Sequence, residues 1–305
     1  MVRIQRRSLL AAAAAVALAP HARAQPAPEA IALWPGAPPG GSGPQGPEQV
    51  SARGSVTNIS RPRLLVHRPA RPNGTAIVVA SGGGYTHLAN GTESTPAAIW
   101  LQSLGVTAFE LIYRLPREGW SREAPFQDGQ RAMRLVRAGA ASWGINPARI
   151  GMMGFSAGGH LVGMTEVEPD AHRYPAGDAT DTVSARPDFC ALLYPVLSML
   201  PPNDHTQSRI QIVGTSPSEA ESAAWSVERH VTDRTPPTFL AQAEDDPISP
   251  IANSRMMYAA LQAAHVPAEL HIFEHGGHGW GMGRPGSEVS AWPAMFAHWA
   301  AAAIG

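Results

Sequence analysis

Apolar positions along the chain follow two periods. Short apolar runs rich in β-branched and aromatic residues at 63–67, 75–80, 106–113, 149–155, 189–194, 238–243 and 269–273 read as strands. Several are almost continuously apolar, as expected of strands covered on both faces. Between them the spacing turns helical. From 128 to 143 one stripe carries Ala132, Leu135, Val136, Gly139, Ala140 and Trp143. Segments 94–104, 251–265 and 288–303 also read as helices. Strands alternating with helices predict an α/β protein with a mostly parallel central sheet and helices on both faces. Segments 166–186 and 200–235 are rich in Pro, Asp and Ser and read as loops and short helices over one end of the sheet. In open α/β sheets that end carries the site.

The two ends of this pattern differ. Arg3, Arg6 and Arg7 precede an apolar stretch of eleven residues, Leu9 to Ala19, and Ala22-Arg23-Ala24 offers a small-residue cleavage site before Gln25. Residues 1–24 therefore read as an export signal, with Arg6-Arg7 suggesting the twin-arginine route, and the expected destination is the periplasm or the exterior. The stretch is too short to span a bilayer, so no membrane association is expected after cleavage. Residues 25–62 read as an N-terminal arm, dense in Pro and Gly over 26–47, where an irregular surface course is expected; 63–305 read as a single domain.

Composition narrows the chemistry. The 305 residues are 44% hydrophobic and 15% charged, which suits a folded domain with a sizeable core. All 23 basic residues are Arg, which excludes a Schiff-base lysine, a Ser-Lys pair and a P-loop lysine. Cys190 is the one cysteine, so neither an intrachain disulfide nor a cysteine zinc cage can form. Removing the leader's four arginines from a net charge of −1 leaves −5. With no basic run beyond the leader, nucleic acid is not an expected partner, and a neutral or cationic substrate is favoured over a polyanion.

Gly154-Phe155-Ser156-Ala157-Gly158 is a G-x-S-x-G between a strand and a helix-like run. A serine displayed on so sharp a turn needs flanking glycines, because side chains there would collide. Its hydroxyl needs a base to become nucleophilic. Asp245 and Asp246 follow the strand at 238–243, and His275 and His278 follow the strand at 269–273. The order Ser156, Asp246, His278 suits a triad, with Asp245 and His275 as rivals; an aspartate here could also serve only as a cap. His271, His275 and His278 would align on a helix as metal ligands, but Gly276, Gly277 and Gly279 argue against that helix. Ser81-Gly82-Gly83-Gly84-Tyr85 follows another strand, and its consecutive glycines could turn backbone N–H groups toward an oxyanion, with Ala157 as second donor. Tyr85 and His87 lie beside this loop as candidate substrate contacts; for Tyr85, plain packing is an equal reading. His160 reads as structural.

Four blocks together resemble secreted bacterial α/β-hydrolases of the acetylxylan-esterase-like type: the Gly-Gly-Gly-Tyr loop, Phe109-Glu110-Leu111-Ile112-Tyr113-Arg114-Leu115-Pro116, Ile150 through His160, and His275-Gly276-Gly277-His278-Gly279. Leu33-Trp34-Pro35-Gly36 is similar to that group as well. The resemblance implies an α/β-hydrolase fold and a cofactor-free, metal-free serine esterase. Such an enzyme would remove acetyl or other short acyl groups from a carbohydrate or small-molecule ester. It implies Ser156 as nucleophile, His278 as base and Asp246 as orienting acid, since Asp246 lies four residues before Pro250. Gly83, Gly84 and Ala157 would supply the oxyanion hole. Ser249 and Ser81 depart from the residues usual at their places. The alternatives are a prolyl-oligopeptidase-like serine peptidase, for whose propeller the chain offers too few residues ahead of the first strand, and a non-catalytic carbohydrate-binding protein of the same fold.

Overall fold

In the computed structural model, which describes residues 28–304, ten strands and seven α-helices follow one another along the chain. The proposed leader lies outside the described residues. The strands are β1 (Glu29–Ala32), β2 (Gln49–Val50), β3 (Val56–Thr57), β4 (Arg63–His67), β5 (Ala76–Ala80), β6 (Thr107–Ile112), β7 (Ile150–Phe155), β8 (Cys190–Leu193), β9 (Thr238–Ala243) and β10 (Ala268–Phe273). The helices are α1 (Ser94–Ser103), α2 (Ala124–Ala138), α3 (Ala157–Val167), α4 (Gln207–Val213), α5 (Glu219–Ala224), α6 (Ala252–Ala263) and α7 (Trp292–Ile304).

Eight strands form one sheet in the order β1-β4-β6-β5-β7-β8-β9-β10. The pairs β1/β4 and β4/β6 are antiparallel, and every later pair is parallel. The central strands are buried along their whole length and send alternate residues into two cores. From β5, Ala76, Val78 and Ala80 join one core with α2, α3 and α6, while Ile77 and Val79 join the other with α1 and α7. This two-sided burial explains why the strands read as continuous apolar runs rather than as alternation.

The N-terminal arm is not irregular throughout, against the expectation for 26–47. Within it β1 pairs with β4 as an edge strand, and β2 pairs with β3 as a separate ribbon. β1 is exposed or half-buried throughout, so backbone pairing holds it and no apolar pattern announces it. The rest of the arm is anchored by side chains. The Trp34 indole donates to Asp128 at 2.8 Å, and Asp128 also forms a fully buried ion pair with Arg114, again at 2.8 Å. Arg114 reaches on to the Pro39 carbonyl. The stripe at 128–143 also resolves differently: α2 begins at Ala124, with Pro125 in its first turn, and a 3-10 turn takes over at Ala140–Trp143.

Register brings the strand ends level. Phe155 lies opposite Leu193, Leu193 opposite Ala241, and Ala243 opposite Phe273. The loops leaving β7, β8, β9 and β10 therefore open side by side at one edge, which juxtaposes Ser156, Asp246 and His278 from segments far apart in sequence.

Candidate active site

Ser156 occupies the turn between β7 and α3 with φ 51° and ψ −117°, a conformation few non-glycine residues adopt. Its neighbours make the turn possible. A Cβ on Gly154 would lie 2.3 Å from the Gly158 carbonyl oxygen, and one on Gly158 would lie 2.3 Å from the Ala80 carbonyl oxygen. Strain at Ser156 is over-determined by bonds from its backbone: its N–H donates to Leu193 O at 3.0 Å, and its carbonyl accepts from Val196 N–H at 3.1 Å.

The Ser156 Oγ lies 2.8 Å from His278 Nε2, and His278 Nδ1 lies 2.8 Å from Asp246 Oδ2. The Asp246 carboxylate is fully buried, and its other oxygen accepts the N–H groups of Ile248 and Ser249, both at 2.9 Å. Those two bonds fix its plane and satisfy a charge that burial would otherwise penalise. Gln242 holds the same turn, donating to Ser249 O at 2.5 Å.

Asp245 faces the other way. It accepts from Gly276 N–H at 2.9 Å and Gly277 N–H at 2.7 Å, tying down the loop that carries His278. The Gly277 N–H, above all, holds its carboxyl below the usual carboxylate range. His275 is exposed beside Asp245 and does not approach Ser156. The two adjacent aspartates thus divide the work: Asp246 contacts the imidazole and Asp245 the backbone around it. Among the described residues no cluster of three or more His, Cys, Asp or Glu side chains could hold a metal ion.

The glycine loop is oriented by its carbonyls. Gly82 O accepts from Ala89 N–H at 3.1 Å, and Gly83 O accepts from Thr86 N–H at 3.1 Å. Because each peptide is planar and trans, the N–H groups of Gly83 and Gly84 point opposite to these carbonyls. Among the described residues neither N–H is spent on a protein acceptor, and the same holds for Ala157. Gly83 has φ 116°, and a Cβ there would lie 2.1 Å from the His87 carbonyl oxygen, so glycine is required. A cleft of about 380 Å³ opens above Ser156, with Gly83, Gly84, His87, Gln207, Ile248 and His278 in its wall.

Tyr85 does not reach this cleft, which corrects its candidacy as a substrate contact. Its ring is fully buried against Tyr113 and Phe126, and its hydroxyl lies 2.9 Å from His160 Nδ1. A positive φ of 58° turns its side chain into the core. His160 is wholly buried, and burial pushes its imidazole down to about 4. His87 does line the cleft, where burial lowers its pKa.

Residues unmarked by any motif also shape the site. Thr206, Gln207 and Ser208, at the start of α4, form one wall from a segment read as loops and short helices, with no residue singled out. Glu93 and Tyr194 lie beneath it, joined by a hydrogen bond of 2.9 Å. Their signal was faint: a lone acid before a helix and a tyrosine just past a strand.

Comparison with known proteins bears on the family and the fold. The BD-FAE family model matches residues 66–261. An acetylxylan esterase of Xylanibacter ruminicola is 33% identical over 75% of this chain and 46% of its own length, so the chain spans about half of that relative. The crystal structure of an acetyl ester-xyloside bifunctional hydrolase from Caldicellulosiruptor lactoaceticus is 33% identical, with a TM-score of 0.76 over 91% of this chain and 97% of that one. A Thermogutta terrifontis esterase with bound propionate is 26% identical, with a TM-score of 0.68 over 88% and 95% of the two chains. The expected α/β-hydrolase fold and the acetylxylan-esterase-like resemblance both hold.

Proposed function

The chain belongs to the BD-FAE family, and from that premise we propose that it is a serine carboxylic ester hydrolase removing short acyl groups, acetyl foremost, from plant-type carbohydrates such as acetylated xylan. The observation that carries this reading is the unbroken relay from Ser156 through His278 to Asp246, two contacts of 2.8 Å each, beside loop N–H groups that meet no protein acceptor among the described residues. His278 takes the Ser156 proton as Oγ attacks the ester carbonyl. Asp246 fixes the tautomer and stabilises the imidazolium. The N–H groups of Gly83, Gly84 and Ala157 receive the tetrahedral oxyanion, each donor contributing roughly 3–4 kcal/mol in comparable sites. His278 then protonates the departing alcohol. Water, activated by the same imidazole, attacks the acyl-enzyme and releases the acid.

The substrate class draws support from two sides. Similar proteins carry the names acetylxylan esterase and acetyl ester-xyloside hydrolase. The cleft is modest in volume, and Thr86, His87, Thr206, Gln207 and Ser208 offer its wall hydrogen-bonding groups suited to sugar hydroxyls. The decisive experiment is acetate release from acetylated xylan, with p-nitrophenyl acetate, a long-chain ester and a peptide amide in parallel. Release from xylan that falls at least about 10⁴-fold in Ser156→Ala supports the reading. Turnover of p-nitrophenyl acetate without release from xylan discards the substrate and keeps the chemistry. Preference for the peptide amide favours the peptidase reading, and silence on all four substrates overturns the enzyme.

A further inference from the structure

Glu93 precedes α1, where an acidic side chain ordinarily caps the first free N–H groups of its own helix. Here it makes no capping bond. The carboxylate turns back beneath the cleft and is 4% exposed. One oxygen accepts the Gly82 N–H at 2.5 Å and the other accepts the Tyr194 hydroxyl at 2.9 Å. Each contact leads to a different half of the site. Gly82 abuts the nucleophile so closely that a Cβ there would lie 2.6 Å from Ser156 Cβ. Tyr194 packs edge-on against His278, with ring centroids 5.0 Å apart, and accepts the Gly281 N–H at 3.1 Å from the far end of the histidine loop. The Trp292 indole closes the chain of bonds by donating to Gly281 O at 2.9 Å.

We propose that Glu93 is a positioning residue that clamps the glycine loop and the histidine loop to each other, setting the distance between the oxyanion donors and the base. The inference rests on the serine-hydrolase reading above. Two buried features fit a clamp better than a space-filling role. A residue that merely fills volume needs no ionisable group, and burial penalises a carboxyl unless donors are aimed at it. Here both donors belong to the elements that hold the reacting groups. Burial raises the Glu93 pKa, while Gly82, Tyr194 and the charge of His278 oppose that rise. The clamp is also central: it joins the loop after β5 to those after β8 and β10, which among the described residues no backbone hydrogen bond does at this point.

Glu93→Gln keeps the shape but removes the charge and turns one acceptor oxygen into an NH2 donor, so the bond to one loop must reverse and both bonds weaken. The wild type, Glu93→Gln and Tyr194→Phe are compared on p-nitrophenyl acetate, with rates expressed per site titrated by a fluorophosphonate. Misfolded material then drops out of the comparison, and Tyr194→Phe tests the same clamp if Glu93→Gln does not fold. The expected result for Glu93→Gln is a kcat lower by about ten- to a hundredfold, with KM changed by less than about threefold. Tyr194→Phe should lower kcat by about three- to tenfold. A trifluoromethyl ketone supplies the second readout. Ser156 adds to its carbonyl, the proton passes to His278, and the resulting alkoxide sits where the oxyanion would. Its affinity should fall in each variant by the same factor as kcat/KM. A purely structural Glu93 would lower the titrated fraction or the melting temperature and leave kcat per site unchanged. Rates per site within twofold of wild type, or a rise in KM alone, would overturn the clamp. A wild type that neither labels nor turns over the ester would instead overturn the serine-hydrolase reading on which it stands.

Discussion

Replacing Asp246 by Asn perturbs the site at one proton. In the native arrangement Asp246 Oδ2 accepts from His278 Nδ1 at 2.8 Å, which leaves Nε2 unprotonated and facing Ser156 Oγ, also at 2.8 Å. The carboxylate is fully buried, so no water substitutes for it. Its second oxygen holds two backbone N–H groups, and the Asn carbonyl oxygen can hold them equally well. The amide that replaces the carboxylate therefore settles with its oxygen toward Ile248 and Ser249 and its NH2 toward the imidazole. Nδ1 must then accept, the proton moves to Nε2, and the base faces Ser156 already protonated. Comparable triads lose about 10⁴-fold in kcat by this route, about 5.4 kcal/mol of transition-state stabilisation. Asp245→Asn keeps both acceptor contacts with Gly276 and Gly277 and should change kcat by less than about tenfold. The assay is p-nitrophenyl acetate hydrolysis at neutral pH, per titrated site, for both variants. Losses of similar size, or a larger loss from Asp245→Asn, would refute the division of labour between the two aspartates.

Gly82→Ala should lower kcat at least about a hundredfold with the fold intact by circular dichroism, because its methyl would lie 2.6 Å from Ser156 Cβ and 2.9 Å from Phe155 O; wild-type turnover would show that the loop yields freely. Glu166, pushed up to about 8 by burial, keeps its proton in the folded state between 4.5 and 8, while the unfolded chain has released it. Stability therefore falls as pH rises through that window, by on the order of a few kcal/mol. The melting temperature of Glu166→Gln should accordingly exceed that of the wild type by more at pH 8 than at pH 5, and an equal difference at both would refute the assignment. Asp128→Asn leaves the Arg114 guanidinium buried without its counter-charge and should cost about 3–5 kcal/mol in urea unfolding; a loss under about 1 kcal/mol would show that the ion pair does not hold the arm.

How much of this site was legible depended on whether a residue's role is local. Ser156 announces itself because a strained turn demands glycines beside it in sequence, and the collisions that demand them are now explicit at Gly154 and Gly158. The strands β5, β7, β8 and β9 were legible for a similar reason, since burial on both faces leaves apolar runs within a few residues. β1 was not, because it is held by pairing with β4 and buries almost nothing. Asp245 and Asp246 are adjacent and chemically identical, so local pattern alone could not divide them. Their roles separate only through partners about thirty residues away, on a loop that parallel register brings alongside. Tyr85 is the opposite case, a residue that sequence left open between substrate contact and packing. Sequence put it beside the oxyanion loop, and one positive φ sent its ring into the core toward His160.

The same distinction explains why Arg114 and Glu93 escaped assignment while their surroundings did not. Phe109 through Pro116 and Leu33-Trp34-Pro35-Gly36 carry part of the family resemblance, yet neither block lines the cleft above Ser156. The structure joins them through Asp128, which binds Arg114 on one side and the Trp34 indole on the other. Arg114 and Trp34 in those blocks therefore belong to a buried electrostatic anchor for the N-terminal arm. Glu93 is the converse case, a residue without a motif whose carboxylate meets the backbone of one catalytic loop and a side chain packed on another. Motif residues are those whose geometry is fixed by their immediate neighbours. Residues that fix the geometry between motifs have partners far along the chain, and only the folded arrangement reveals them.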